Sequence, residues 1–392
     1  MNIGIICEYN PLHLGHQKQI RRIREEFGPY CGIVCLMSGN YVQRGMPAVM
    51  DKSLRARAAL ACGADLVLEL PITGVLSSAE GFAATGVRIL SPLCQRLCFG
   101  TETGTADRLL RTAKLLLSDE FPQYLRTELD KGLSFPAARE AALRAMGHSA
   151  ELLSQPNDIL AVEYCKAILS QGSPMAPFPI LRQGNYHSPL PDGDNPSATA
   201  VRNLMLQSGL WLDYVPQEAR EIFRDAPMHS LEAGERAILA RLRTMTDGEF
   251  EALPYGSEGL WRKFMHACRS KATLEGILTE TKSRRYTRTR LDRMVMCAFL
   301  GLTWEDLASP PPYTRVLAFN HRGRAILAEN RKGPALVNAG QRTQLPFEEL
   351  ESRIEDLYGL FCTDSPEPPG REGKRRVYYD KTTGGSDDAE LP

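Results

Sequence analysis

The first 210 residues alternate between two textures. Short, nearly unbroken apolar runs occupy residues 3–7, 32–37, 65–70 and 96–100, and between them lie longer segments, 15–26, 52–62 and 78–90, whose apolar residues recur at helical spacing. A run too short for a helix and apolar at consecutive positions reads as a strand buried on both faces. A helix between two such strands carries the chain to a parallel neighbour. The pattern predicts an α/β fold with a Rossmann-like parallel sheet, whose ligands bind beyond the carboxyl ends of the strands. His13, Ser38, Gly39 and Gly100 fall at such ends. From about Leu212 the pattern becomes one of long amphipathic helices, at 234–244, 259–271 and 290–302. Three parts are expected: a sheet domain over 1–210, a mainly helical domain over 211–364, and a tail over 365–392 whose Pro, Gly and charge predict disorder.

Composition narrows the class only a little. Lys plus Arg and Asp plus Glu number 47 each, so overall charge excludes neither nucleic acid nor acidic partners, and any such signal is local. Ten cysteines without an apolar leader predict reduced, buried thiols of a cytoplasmic protein, and no apolar run approaches the ~18 residues of a membrane helix. The pairs Cys31/Cys35 and Cys94/Cys98 lack a second half at zinc spacing, so no metal site is expected.

The chemistry starts where the first run ends, at Cys7-Glu8-Tyr9-Asn10-Pro11-Leu12-His13-Leu14-Gly15-His16. Asn10 and Pro11 break the strand, Gly15 lets the backbone approach an anion, and His13 and His16, one helical turn apart, face one ligand at a helix start. Imidazoles donate from a compact ring and carry charge near neutrality, which suits them to the α-phosphate of a nucleoside triphosphate under attack. Two surface histidines in a loop remain the bland alternative. The loop from Ser38 to Ala48 reads as a glycine-hinged pocket lining, and the cations Lys52 and Arg55 in the first turns of a helix oppose its dipole and point to an anion nearby. Pro156-Asn157-Asp158 reads as a helix cap, and Ser197-Ala198-Thr199-Ala200-Val201-Arg202 as a helix start able to hold β- and γ-phosphates, with Arg202 as a fork-shaped clamp.

His13-Leu14-Gly15-His16 together with Ser197 to Arg202 resembles the paired signatures of the nucleotidylyltransferase superfamily. Within it, the stretch from Cys7 to His16, Met37 to Gly45, Pro156 to Tyr164 and Tyr286 to Leu291 resemble, in order, the bacterial tRNA(Met) cytidine acetate ligase family over about residues 1–360. The resemblance implies a two-step reaction. Acetate attacks the α-phosphate of ATP to give acetyl-adenylate, and N4 of the wobble cytidine of elongator tRNA(Met) takes the acetyl group to form N4-acetylcytidine. It further implies ATP contacts from Cys7, Glu8, Tyr9, Asn10, Pro11, Leu12, His13, Leu14, Gly15, His16, Gln17, Lys18, Gln19 and Ile20, and from Gly100, Asn157 and Arg182. Ser197 and Thr199 join that set, His13, His16 and Arg202 are the expected catalytic residues, and Mg2+ is expected to arrive with ATP.

A local basic signal lies in the helical half, where residues 261–293 hold ten Lys or Arg against three acids. Arg284, Arg285, Arg288 and Arg290, with Tyr286 available to stack on a base, form an expected tRNA footprint; Arg315, Arg322, Arg324, Arg331 and Lys332 extend it. The expected partners are tRNA(Met) and acetate, with no membrane and no protein partner. Two rivals stay open: a nucleotidylyltransferase adenylating a small phosphorylated metabolite, and a non-catalytic tRNA-binding protein.

Overall fold

A computed structural model describes residues 1–182, 196–207, 209–329 and 335–381. The first four strands and their crossovers follow the apolar pattern: β1 Asn2–Cys7, α1 Leu14–Phe27, β2 Gly32–Ser38, α2 Lys52–Ala61, β3 Leu66–Leu70, α3 Ala79–Leu90 and β4 Arg96–Thr101. Further on, α4 Pro156–Ser170 leads into β5 Ala176–Leu181, and α5 Ala198–Gln207 follows. β1 pairs in parallel with β2 and β4, β2 with β3, and β4 with β5. Every residue of β2 and β3 is buried because both faces of the sheet are covered. Alternate residues serve opposite layers: Ile33, Cys35 and Met37 pack with Ile20 and Ile23 of α1, whereas Val34 and Leu36 pack with Phe82 and Val87 of α3 and Val162 of α4. The expected α/β fold with a parallel-dominated sheet is the fold observed.

The helical region comprises α6 Leu231–Thr244, α7 Leu260–Ser270, α8 Leu274–Thr281 and α9 Arg288–Leu300. After α9 the chain departs from the expected domain plan. β6 Tyr313–Asn320 enters the same sheet antiparallel to β3, with a register shift at Val67/Leu68. The outer edge of β6 is shared by β7 Ala335–Asn338, beside its first half, and β8 Tyr378–Asp380, beside its end. α10 Pro346–Tyr358 lies between those two strands in the chain. The expected boundary at 364 and the expected disorder from 365 are therefore corrected up to residue 381; residues 382–392 lie outside the described ones. The physical reason is that two of the tail's charges, on Glu372 and Arg375, are withdrawn from water. Arg375 is buried, with Asp51 Oδ1 2.7 Å, Glu355 Oε2 2.8 Å and Glu372 Oε2 2.7 Å away. A composition that reads as disorder assumes that water holds its ions; here carboxylates from residue 51 onward hold them.

The helical core also reaches back across residue 210, since Tyr41 and Leu76 pack among Ile238, Phe264, Met294 and Tyr358. All ten cysteines are buried free thiols, and among the described residues no helix is long and apolar enough to cross a membrane.

Candidate active site

Beyond Cys7 the chain turns through Glu8, Tyr9, Asn10 and Pro11 before α1 begins. Tyr9 takes φ +44°, a left-handed conformation that costs a bulky residue energy, and is held by burial and a 3.4 Å contact of its hydroxyl with Cys35 Sγ. His13 is the N-cap of α1. Its Nδ1 accepts from the Gly15 N–H at 3.1 Å, while His16 Nδ1 accepts from the His13 N–H at 3.3 Å. This is a capping box built from imidazoles. A ring nitrogen that accepts carries no proton, so each neutral ring holds its hydrogen on Nε2. The rings stack with centroids 3.8 Å apart, so two Nε2–H donors stand side by side at a helix start that already favours an anion.

The charged role expected for these histidines is corrected. Burial first, then the charges of His16, Arg182 and Arg202, hold the His13 imidazole well below its ordinary 6.5, and burial with Arg182 pushes His16 down to about 3. Both are neutral donors near pH 7 in the free protein. Gly15 also has a different reason from the one expected: a Cβ there would meet the His13 ring at 3.0 Å, so the glycine makes room for the cap itself.

The second signature adjoins the first, since the Pro196 carbonyl oxygen lies 3.7 Å from the place of a Gly15 Cβ. Ser197 Oγ accepts from the Ala200 N–H at 3.0 Å and caps α5. Arg202 donates to the Asn10 carbonyl at 2.7 Å and to Thr199 Oγ1 at 3.1 Å, bracing the turn between β1 and α1. Across the sheet, Arg182 donates to Asn157 Oδ1 at 2.7 Å, and its stem packs where a Gly100 Cβ would stand, 2.9 Å from Arg182 Cδ. Asn157 donates in turn to Glu102. Asp158 is buried and accepts from the Glu102 N–H at 2.8 Å, the Thr103 hydroxyl at 2.7 Å and the Thr101 hydroxyl; these bonds hold its carboxyl below the usual range despite burial. Glu102 is the residue that sequence reasoning passed over. Its signal was an acid two positions beyond the strand glycine, facing an Asn-Asp pair 55 residues away.

Not every residue of the 7–20 stretch faces this cleft. Cys7, Tyr9, Leu12 and Ile20 belong to the core, Gln17 donates to Glu218 at 3.0 Å, and Gln19 donates to Cys98 Sγ at 3.5 Å. Leu14 is half-buried and Lys18 exposed. Glu8 Oε1 accepts from the Gln43 N–H at 2.7 Å, tying the turn to the following loop.

A profile of the HIGH Nucleotidyl Transferase family matches residues 1–369. The tRNA(Met) cytidine acetate ligase of Clostridium novyi is 37% identical over 352 residues, covering 85% of this chain and 88% of its own. That of Anoxybacillus flavithermus is 33% identical and covers 96% and 98%. The chain belongs to the tRNA(Met) cytidine acetate ligase family. The crystal structure of apo Thermotoga maritima TmcAL superposes with a TM-score of 0.88 at 29% identity over 97% of this chain, and that of TmcAL bound with alpha-thio ATP with 0.84 at 30% identity over 96%.

Two expectations built around this ligase-family site take a different form. The cations of α2 answer internal anions. Lys52 is buried, with Glu69 2.8 Å, Glu355 3.1 Å and Glu372 3.0 Å from its ammonium, and Arg55 donates to the carbonyls of Met50, Glu8, Ser38 and Gly39. The start of the loop after β2 lines a cavity of about 20 Å³, together with Lys52, Glu69 and Glu355, with room for little more than a water molecule. The basic segment is also partly spoken for. Arg285 and Tyr286 bond Glu258 at 2.8 and 3.1 Å, Arg288 bonds Glu275 at 2.7 Å and Asp292 at 2.8 Å, and Arg290 donates to the Tyr255 carbonyl at 2.7 Å. Arg284 is exposed and has no carboxylate partner among the described residues. Of the second basic stretch, Arg315 is buried and paired with Glu351 at 2.9 Å, Arg322 is paired with Asp65 at 3.3 Å and Arg324 is exposed, so Arg315 is corrected as a surface cation. Gln183 to His187, Arg331 and Lys332 lie outside the described residues.

Proposed function

We propose that this chain is an ATP-dependent ligase that activates acetate as acetyl-adenylate and transfers the acetyl group to N4 of the wobble cytidine of elongator tRNA(Met). An acetate oxygen bonds to the α-phosphorus while the bond to pyrophosphate breaks; N4 then bonds to the acetyl carbon, AMP leaves with the electron pair, and N4 gives up one proton. Acetate is a poor acyl donor until its oxygen becomes part of AMP. Holding carboxylate and α-phosphate in line supplies most of what a protein can add to the first step. Charge grows on the non-bridging oxygens as pyrophosphate departs, and donors already aimed there need no reorganisation. His13 and His16 take that role through Nε2–H, Arg202 and Lys18 act toward the pyrophosphate, Ser197 and Thr199 toward the outer phosphates, and Gly100, Asn157 and Arg182 toward the nucleoside. Arg284, Arg285, Tyr286, Arg288 and Arg290 take the tRNA.

ATP enters as its magnesium salt. The donors around His13 are imidazoles, amides and guanidinia, a set suited to phosphate oxygens rather than to a resident cation, so Mg2+ travels on the triphosphate. The observation that carries the reading is the reciprocal imidazole capping box, which fixes both donor tautomers at a helix start, in a chain whose relatives are named tRNA(Met) cytidine acetate ligase. The test incubates tRNA(Met) with ATP, labelled acetate and the protein, and maps the label by mass analysis. Label on N4 of the wobble cytidine, dependent on ATP, is expected. Pyrophosphate exchange that ignores acetate would point instead to a metabolite nucleotidylyltransferase, and no exchange at all to a non-catalytic tRNA binder.

A further inference from the structure

Beside the candidate site lies an open cleft of about 380 Å³ that none of the phosphate chemistry uses. Trp304, Tyr255, Ser77, Ser78 and Glu80 line it. Trp304 is 57% exposed, a high value for the largest apolar side chain, and its backbone is pinned by its N–H to the Ala252 carbonyl at 3.0 Å. Tyr255, which also lines the cleft, takes φ +68°, a conformation rare for an aromatic residue, and is fixed there by its hydroxyl on the Leu76 carbonyl at 2.5 Å. An exposed indole and a fixed tyrosine lining one open cleft offer apolar ring surface to a flat guest.

Position and charge identify the guest. Gln43 joins the two places, its N–H on Glu8 at 2.7 Å and its side chain on the Ser77 carbonyl at 3.4 Å, so the cleft begins one residue beyond the turn that carries His13. Behind Tyr255 stands Arg293, nine-tenths buried, its guanidinium 5.0 Å from the ring centroid and its Nε without a hydrogen-bond partner. Exposed Arg44, whose charge is felt at Arg202, is a second cation, near the catalytic turn. Glu80, which lines the cleft, is exposed and paired with Lys166 at 2.9 Å; a carboxylate there accepts from an exocyclic amine and disfavours a phosphate, so the cleft suits a base and the cations beside it suit the backbone.

We propose that the Trp304 cleft takes an unpaired nucleobase of the tRNA loop next to the acceptor cytidine, stacked on the indole, and so aligns N4 with the activated acetyl group. Single-stranded RNA is read in this way, by bases splayed onto aromatic faces while arginines follow the phosphates. The inference rests on the tRNA-acetylating function proposed above, and its failure can be told apart from a failure of that function.

Elongator tRNA(Met) transcript titrated into the full protein is expected to quench tryptophan fluorescence, a quench lost in Trp304→Phe and kept in Trp261→Phe. In acetylation assays Trp304→Ala raises the tRNA KM about tenfold, and Trp304→Phe restores most of it. An anticodon stem-loop with an abasic site beside the acceptor cytidine binds the parent as weakly as it binds Trp304→Ala. Acetate-dependent pyrophosphate exchange without tRNA reports that each variant is folded. A tRNA KM in Trp304→Ala within twofold of the parent, or a quench that survives in Trp304→Phe, overturns the assignment and leaves the cleft to a protein partner. A parent protein that leaves tRNA unacetylated sinks the function itself, while the fluorescence titration still decides the cleft.

Discussion

The two ends of α1 and α2 that face the carboxyl edge of the sheet are built from opposite materials. At the start of α1, donors and acceptors lie within four residues of one another: His13, Gly15 and His16 satisfy each other's backbone and leave two Nε2–H groups over for a ligand. At the start of α2, Asp51 and Lys52 are answered by Glu69, Glu355, Glu372 and Arg375, drawn from positions up to 324 residues away. The first is an open site held by local geometry. The second is a closed knot that fastens the chain's last described strand to its first helices. Cations at a helix start are therefore not by themselves evidence of a ligand; what matters is whether the fold already supplies their counter-charges.

The sharpest way to break this contrast is to cut the knot. Burial opposes the charge on Lys52, but the three carboxylates outweigh it and raise its pKa, so replacing it leaves three acids crowded together without their cation. Lys52→Met is expected to cost about 3–5 kcal/mol of unfolding free energy, read as a lower denaturant midpoint. A midpoint within about 0.5 kcal/mol of the parent's would show that the tail is held by its apolar contacts alone.

The open site is tested by rate rather than stability. His16→Ala removes one preorganised donor and is expected to slow acetyl-adenylate formation about 100-fold or more, equivalent to roughly 2.7 kcal/mol, while the unfolding free energy falls only by about 1 kcal/mol for its lost cap bond. Retention of the parent rate within a few-fold would remove His16 from the chemistry. The two variants thus dissociate: one loses the fold's closure, the other its catalysis.

What the sequence disclosed follows the same division. The strands up to β4, their crossovers and the His-x-Gly-His turn are legible because each rests on neighbours in the chain: apolar runs, a breaker at Asn10-Pro11, a helix start. β6 escaped notice because its apolar residues 316–319 are flanked by Arg315 and Asn320, whose partners Glu351 and Asp65 are far off in the chain. The same holds for Arg375, which sits in a run of Lys and Arg with nothing local to name Asp51 as its acceptor. Asn157 and Asp158 read as a cap, but the N-cap of α4 is Gln155 and they lie in its first turn, where their work is to hold Glu102 and the loop after β4, which only the sheet's geometry reveals.

The pH dependence sharpens the comparison from both sides. His16 has its folded pKa lowered from 6.5 to about 3, so the unfolded chain binds the proton more readily between those values. Its contribution to stability is complete above pH 6.5 and is lost as pH falls toward 3. Glu69 runs the other way, since burial pushes it up to about 7 and the folded state holds the proton longer; its contribution falls as pH rises from 4.5 to 7. Unfolding measured across pH 4–8 is expected to lose the falling component in Glu69→Gln and keep the rising one. At subsaturating ATP the kcat/KM for acetyl-adenylate formation shows no inflection near 6.5 assignable to His13 or His16, because both are already neutral there. An inflection at 6.5 that disappears in His16→Ala would mean that the ring carries charge in the free enzyme.

The smallest expected effect comes from the basic segment, where the ion pairs are exposed and local. Arg285 and Arg288 spend their guanidinia on Glu258 and Glu275, with side chains 46% and 42% exposed, and such pairs contribute about 0–1 kcal/mol. Arg285→Ala with Arg288→Ala should leave the unfolding midpoint and acetate-dependent pyrophosphate exchange nearly unchanged. Acetylation of tRNA should fall and lose part of its salt dependence, because phosphates in place of Glu258 and Glu275 would gain charges that the exposed pairs barely hold. A drop in stability without any change in tRNA transfer would make this segment a second knot, solved within the protein like the one around Lys52.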